Sequence, residues 1–152
     1  MRAHRKPRQH GTATVEFALA LPLLLFLMLA TAEVGRLLSH YNTLTKSVRD
    51  AARYLAANAI QNSTGIVGIT QPVQTATVNL VLSGNVAGTG MTLLPGLAAG
   101  NVTVANAGAG YVSVSASYTY QPMLGGNLPN FGLGPAINMT IPLNVSVVMK
   151  AL

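Results

Sequence analysis

Residues 16–36 read EFALALPLLLFLMLATAEVGR, and the architecture follows from how this stretch is read. Between Glu16 and Glu33 lie sixteen residues without a charge, and extending the run back through Glu16 to Thr12 gives twenty-one residues with that one carboxylate among them. As an α-helix rising about 1.5 Å per residue, that run measures roughly 31 Å, which matches a hydrocarbon core of about 30 Å. Pro22 removes one interior helical hydrogen bond, a loss that membrane helices tolerate. Arg2, Arg5, Lys6 and Arg8 precede the span without an acid among them, and the first charge after it is Glu33. The positive-inside rule then predicts a single-pass protein of the inner membrane, with a cytoplasmic N-terminus and an extracytoplasmic (periplasmic) remainder.

Working outward, the next segment continues the helical pattern. Val34, Leu37, Tyr41, Leu44, Val48, Ala51 and Leu55 recur at three- and four-residue spacing, which predicts one apolar packing stripe with Arg36, Lys46, Arg49 and Arg53 largely off it. Glu33 and Arg36, Lys46 and Asp50, and Asp50 and Arg53 are spaced to pair on a helix surface. Only Gly35 interrupts good helix formers before Asn58, so the span and the amphipathic segment are expected to form one rod from about Thr12 to Ala59.

Beyond Asn62 the composition shifts to Gly, Asn, Ser, Thr and Val. Period-two alternation predicts strands in PVQTATVNLVL (Ala76, Val78, Leu80, Leu82 on one face), YVSVSASYTY (Val112, Val114, Ala116, Tyr118, Tyr120) and TIPLNVSVVM (Ile141, Leu143, Val145, Val147, Met149). Asn101 to Ala105 gives a shorter fourth. Pro142 points to an edge strand, and the Gly- and Pro-rich stretch from Leu124 to Ile137 reads as a loop. The fold class expected is α+β: a long N-terminal membrane-spanning helix with a small antiparallel sheet packed on the Leu44–Leu55 half of its stripe.

The charge inventory excludes more than it suggests. The chain of 152 residues carries nine Lys or Arg, three Asp or Glu, three His and no Cys, and from Tyr54 to Met149 it has no Asp, Glu, Lys, Arg, His or Cys. General acid-base catalysis, Ser-His-Asp arrangements and metal sites lack their parts there, so no enzyme activity, cofactor or metal is expected. His40 reads as a lone, partly exposed helical residue. The net charge of +6 comes mostly from the short leader, which argues against nucleic acid as a partner. Residues 61–152 hold no Asp, Glu or His, so the sheet region taken alone is expected to have a flat stability between pH 4.5 and 8.

In RKPRQHGTATVEF, residues 5–17, a basic leader ends at Gly11, five residues lead to Glu16, and Phe17 opens the apolar run. Together with E-V-G-R at Glu33–Arg36 and A-A-R-Y at Ala51–Tyr54, this resembles the TadE-like pseudopilins of tight-adherence (Flp-type, type IVb-like) pilus systems. The resemblance covers roughly residues 2–57. It implies cleavage by a prepilin peptidase after Gly11, with Thr12 as the mature N-terminus and with Glu16 and Phe17 as the recognition and assembly pair. A minor pilin of a type IV pilus-like, surface-attachment system is implied, whose partners are the membrane, the peptidase, other pilins and the assembly machinery. The corresponding division is a leader at 1–11, the helix at 12–60 and an extracytoplasmic β-rich domain at 61–152.

The residues also admit other readings. A-T-A at Ala30–Ala32 is an acceptable signal-peptidase site, which would release a soluble adhesin-like module beginning at Glu33. A bitopic scaffold of the secretion machinery would keep the helix without entering a filament.

Overall fold

The computed structural model describes residues 10–60, 66–123, 127–128 and 137–152. Its spine is helix α1, His10–Asn58, which runs through Pro22 and Gly35 as one element. The expected rod is therefore continuous. A second helix, α2, spans Gln71–Ser83. After a short 3-10 turn at Ala99–Asn101 come strands β1 (Val102–Gly108), β2 (Tyr111–Thr119), β3 (Asn127–Leu128), β4 (Ile137–Asn138) and β5 (Pro142–Lys150).

The main sheet has the order β1-β2-β5, antiparallel throughout, so β5 is an edge strand and Pro142 sits at its start, where a missing N–H costs no ladder bond. Val104 faces Val114 across the first pair, and Val114 faces Val147 across the second. The β1–β2 turn sets Ala109 at φ 51° and Gly110 at φ 81°, the paired positive φ values of a tight hairpin turn whose twist suits its strands. Gly108, at φ 80°, absorbs the register shift just before it.

The alternation read in β2 and β5 is the one observed. Val112, Val114, Ala116, Tyr118 and Tyr120 are buried, as are Leu143 and Val145, while the intervening polar positions face outward. They close over Leu44, Val48, Ala51, Ala52 and Leu55 of α1, and Val81, Leu94 and Leu97 complete the same core.

One strand expectation is overturned. PVQTATVNLVL forms α2, not a strand. Its apolar residues fit both periods, because Val73, Ala76, Thr77, Leu80 and Val81 share a helical face as readily as Ala76, Val78, Leu80 and Leu82 share a strand face. The ends decide the matter. Pro72 lies in the first turn, where its absent N–H has no helical acceptor to lose, and Gly84 adopts φ 76° at the C-terminus and returns its N–H to Leu80 O. The region after residue 60 is thus mixed in structure, with α2 packed on α1 and touching β1.

Of the stretch read as a loop, Asn127–Leu128 and Ile137–Asn138 pair as a two-residue ladder, and the rest lies outside the described residues.

Candidate assembly site

The first part of α1, as far as Ala32, contributes no residue to the protein's own core. It contains an 18-residue window of mean hydropathy 2.2, none of it buried, and it is the one described helix long and apolar enough to cross a membrane. Phe17, Leu19, Leu23 and Leu24 are each more than half exposed. On this bare cylinder Glu16 is the only ionisable residue between Gly11 and Ala32. It projects outward beside Gly11, Thr12 and Val15, and it makes no hydrogen bond or ion pair with any described residue. Gly11 lies in the first described turn of α1, with open space where a Cβ would stand.

The packing stripe divides. Leu44, Val48, Ala51 and Leu55 are fully buried in the protein's own core and Leu37 packs against it, but Val34 (47% exposed) and Tyr41 (44% exposed) point away. They stand at one edge of the stripe, beyond the part of the helix circumference that the described residues cover at that level. Of the three charge pairs that spacing allows, Asp50–Arg53 alone forms among the described residues, at 4.0 Å.

Glu33 has a different use. It is 4% exposed, and its Oε1 accepts the Tyr120 hydroxyl at 2.5 Å and the Met123 backbone N–H at 3.1 Å. Arg36, one turn on, places its guanidinium 5.9 Å from the centre of the Tyr120 ring, within range of a cation–π attraction. A further turn on, His40 meets the edge of Tyr120 at 5.2 Å between centroids, and its Nδ1 lies 3.3 Å from the Tyr118 hydroxyl. Glu33 and Arg36 of the E-V-G-R run, with His40, therefore form a latch on one face of α1 that holds Tyr118 of β2 and Tyr120 just beyond it. Sequence reasoning missed it, although the signal was present: Tyr118 and Tyr120 are the only aromatics on the inward face of that run.

The latch also couples an ionisable residue of the helix, His40, to the sheet. Burial, and after it the charge of Arg36, push the His40 pKa below 6.5, while Glu33 pulls the other way. The unfolded chain then takes up a proton at higher pH than the folded one. This contribution to stability is whole above about pH 6.5 and is lost as pH falls below that value. The urea midpoint of the full chain is expected to drop between pH 7.5 and 5.5, and less so in His40→Gln. Equal drops in both proteins would remove His40 as the cause.

Tyr120 titrates at the other end of the scale. Burial first, then the hydrogen bond to Glu33 and that carboxylate's charge, push its pKa up to about 12, against the pull of Arg36. Its contribution is complete below pH 10 and disappears as pH rises from 10 towards about 12. Alkaline unfolding is expected to coincide with phenolate absorbance from Tyr120, and a Tyr120→Phe chain should lose that part of the signal.

Among the described residues no group of three His, Cys, Asp or Glu side chains converges as a metal site. The geometry is that of a long helix, apolar and uncovered in its first part, that carries a latched module of helix and sheet on its distal part. The sequence model of the TadE-like proteins matches residues 11–53, a segment that holds Gly11, Glu16, the latch residues Glu33 and Arg36, and Arg53. Neither the curated proteins nor the solved structures give a match. Over residues 11–53, most of this helix, the chain is similar to the TadE-like proteins.

Proposed function

We propose that this chain is a minor pilin or pseudopilin, a structural subunit of a tight-adherence type pilus or secretion system, cut by a prepilin peptidase after Gly11 and assembled through its N-terminal helix. The observation that carries the proposal is the bare half of α1: an apolar rod some twenty residues long, uncovered by its own domain and interrupted by the single carboxylate of Glu16. Such a surface is stable only in lipid or against other apolar helices, and a pilin subunit meets both in turn. The helix-plus-sheet plan, with an antiparallel sheet riding on the distal half of the rod, suits a pilin-like architecture.

The chemistry around the cut supports the same reading. A protease needs its substrate extended, and Gly11, with open space where a Cβ would stand, lies in the first described turn of α1. Glycine there also lowers the helix's local stability by about 0.5–1 kcal/mol relative to alanine. The basic leader keeps the site at the cytoplasmic face, with the sheet outside.

Intact mass of the membrane-extracted protein tests the reading. A chain beginning at Thr12 is expected; a start at Glu33 would instead establish the secreted module, and an uncut chain the bitopic scaffold. Gly11→Asp places a bulky charge at the cut and should leave precursor only, still inserted in the membrane. Normal processing of that variant would overturn the assignment of Gly11.

A further inference from the structure

One face of α1 beyond the membrane span is left open by the chain's own domain. Its lower part is apolar, with Val34 47%, Leu38 55% and Tyr41 44% exposed. Its upper part is cationic: Lys46, Arg49 and Arg53 follow at three- and four-residue steps and are all exposed. These positions share one open arc of the helix: Val34 and Tyr41 flank the buried stripe of Leu37, Leu44, Val48 and Leu55, and Lys46, Arg49 and Arg53 lie further round, towards the side away from it. The strip from Val34 to Arg53 is about 29 Å long at 1.5 Å per residue.

From this arrangement we infer that the open face of α1 docks a helix of a different assembly protein, apolar at its membrane-proximal end and carrying carboxylates along its distal end. The inference rests on the assembly-subunit reading above and names the partner's chemistry. A second copy of this chain cannot supply that chemistry. It has three acids: Glu16 in the bare apolar segment, Glu33 buried under Tyr120, and Asp50 within the cationic strip itself, already 4.0 Å from Arg53. Packing copy against copy through this face would set cations against cations.

The membrane's anionic headgroups are not the occupant either. Lys46 is fourteen residues beyond Ala32, roughly 21 Å along the rod, while surface potentials decay over a Debye length of about 8 Å at physiological salt. The apolar lower part separates the strip from a nucleic acid, which would have no use for Val34, Leu38 and Tyr41. An amphipathic partner helix uses both halves, as helix-in-groove and helix-on-helix recognition do.

The test uses the full chain in nanodiscs of zwitterionic lipid. The probe is a sixteen-residue helical peptide with Leu at three- and four-residue spacing in its first half and Glu at the same spacing in its second. A control peptide carries Gln in place of Glu. Binding of the Glu peptide is expected to weaken at least tenfold in K46Q/R49Q/R53Q, at least tenfold between 50 and 300 mM salt, and severalfold in Tyr41→Ser. Equal binding of the two peptides, or tighter binding of duplex DNA of the same charge, would overturn the inference.

In cells, a photo-cross-linking residue in place of Thr45 is expected to give adducts with another assembly protein; adducts only between copies of this chain would likewise overturn it. Uncut precursor in the same cells would count against the pilin reading alone, because peptide binding in nanodiscs does not depend on cleavage.

Discussion

Glu33→Ala is expected to destabilise the sheet module by about 3–5 kcal/mol, the cost of breaking a buried charged network by removing one partner. The substitution removes a carboxylate that is 4% exposed and serves two donors at once, the Tyr120 hydroxyl and the Met123 N–H. Both donors stay buried or half-buried after the truncation, and a buried donor without an acceptor costs roughly 1–3 kcal/mol by itself. Arg36 makes the loss larger. Its Nη1 is buried without a hydrogen-bond partner among the described residues, so the Glu33 charge one turn away is its nearest electrostatic compensation.

Glu33→Gln keeps an acceptor for both donors and loses only the charge facing Arg36, so its loss should be clearly smaller. Urea titration of the full chain in micelles, followed by tyrosine fluorescence because the chain has no Trp, gives the values. A Glu33→Ala loss below about 1 kcal/mol, within the range of an exposed ion pair, would mean that the latch is ornamental and that Leu44, Val48 and Leu55 hold the sheet alone.

How far the sequence revealed this arrangement depends on the range of each contact. The rod was legible because its evidence is local: sixteen uncharged residues, then a three-four stripe with no breaker but Gly35. Strands β2 and β5 were legible for the same reason, since side chains alternate strictly between a buried and a solvated face. PVQTATVNLVL was misread because a short apolar-rich segment satisfies both periods, and the deciding information sat at its ends, in Pro72 and Gly84.

The latch lay beyond local reading. Glu33 and Tyr120 are separated by 87 positions, and no periodicity connects them until the sheet has folded back along α1. The same holds for Val34 and Tyr41. Spacing placed them on the stripe, but only the width of the sheet determines where the stripe stops being covered.

Glu16→Ala is expected to leave insertion and cleavage intact and to abolish assembly into the filament. A carboxylate among the apolar side chains of a spanning helix is unfavourable by about 2.5 kcal/mol or more near the bilayer centre, and less towards its edge, so its removal eases insertion. The residue is five positions from Gly11, and the proposed cut there leaves the peptidase its glycine and the leader its cations.

What the substitution removes is the only charge between Gly11 and Ala32, on a part of α1 that the described residues leave uncovered. The proposed cleavage would create an amine at Thr12, one helical turn from Glu16, and within apolar surroundings a carboxylate and an ammonium attract far more strongly than in water. Between subunits, the same pair would set the axial register of one rod against the next, because leaving either charge unpaired costs several kcal/mol. Loss of assembly should therefore be steep, tenfold or more in recovered filament, with the processed subunit accumulating in the membrane. Glu16→Gln separates charge from shape: it conserves side-chain volume and hydrogen bonding, and it should assemble as poorly as Glu16→Ala if the ion pair sets the register. Full assembly of either variant would reduce Glu16 to an interfacial carboxylate and leave register to the apolar side chains alone.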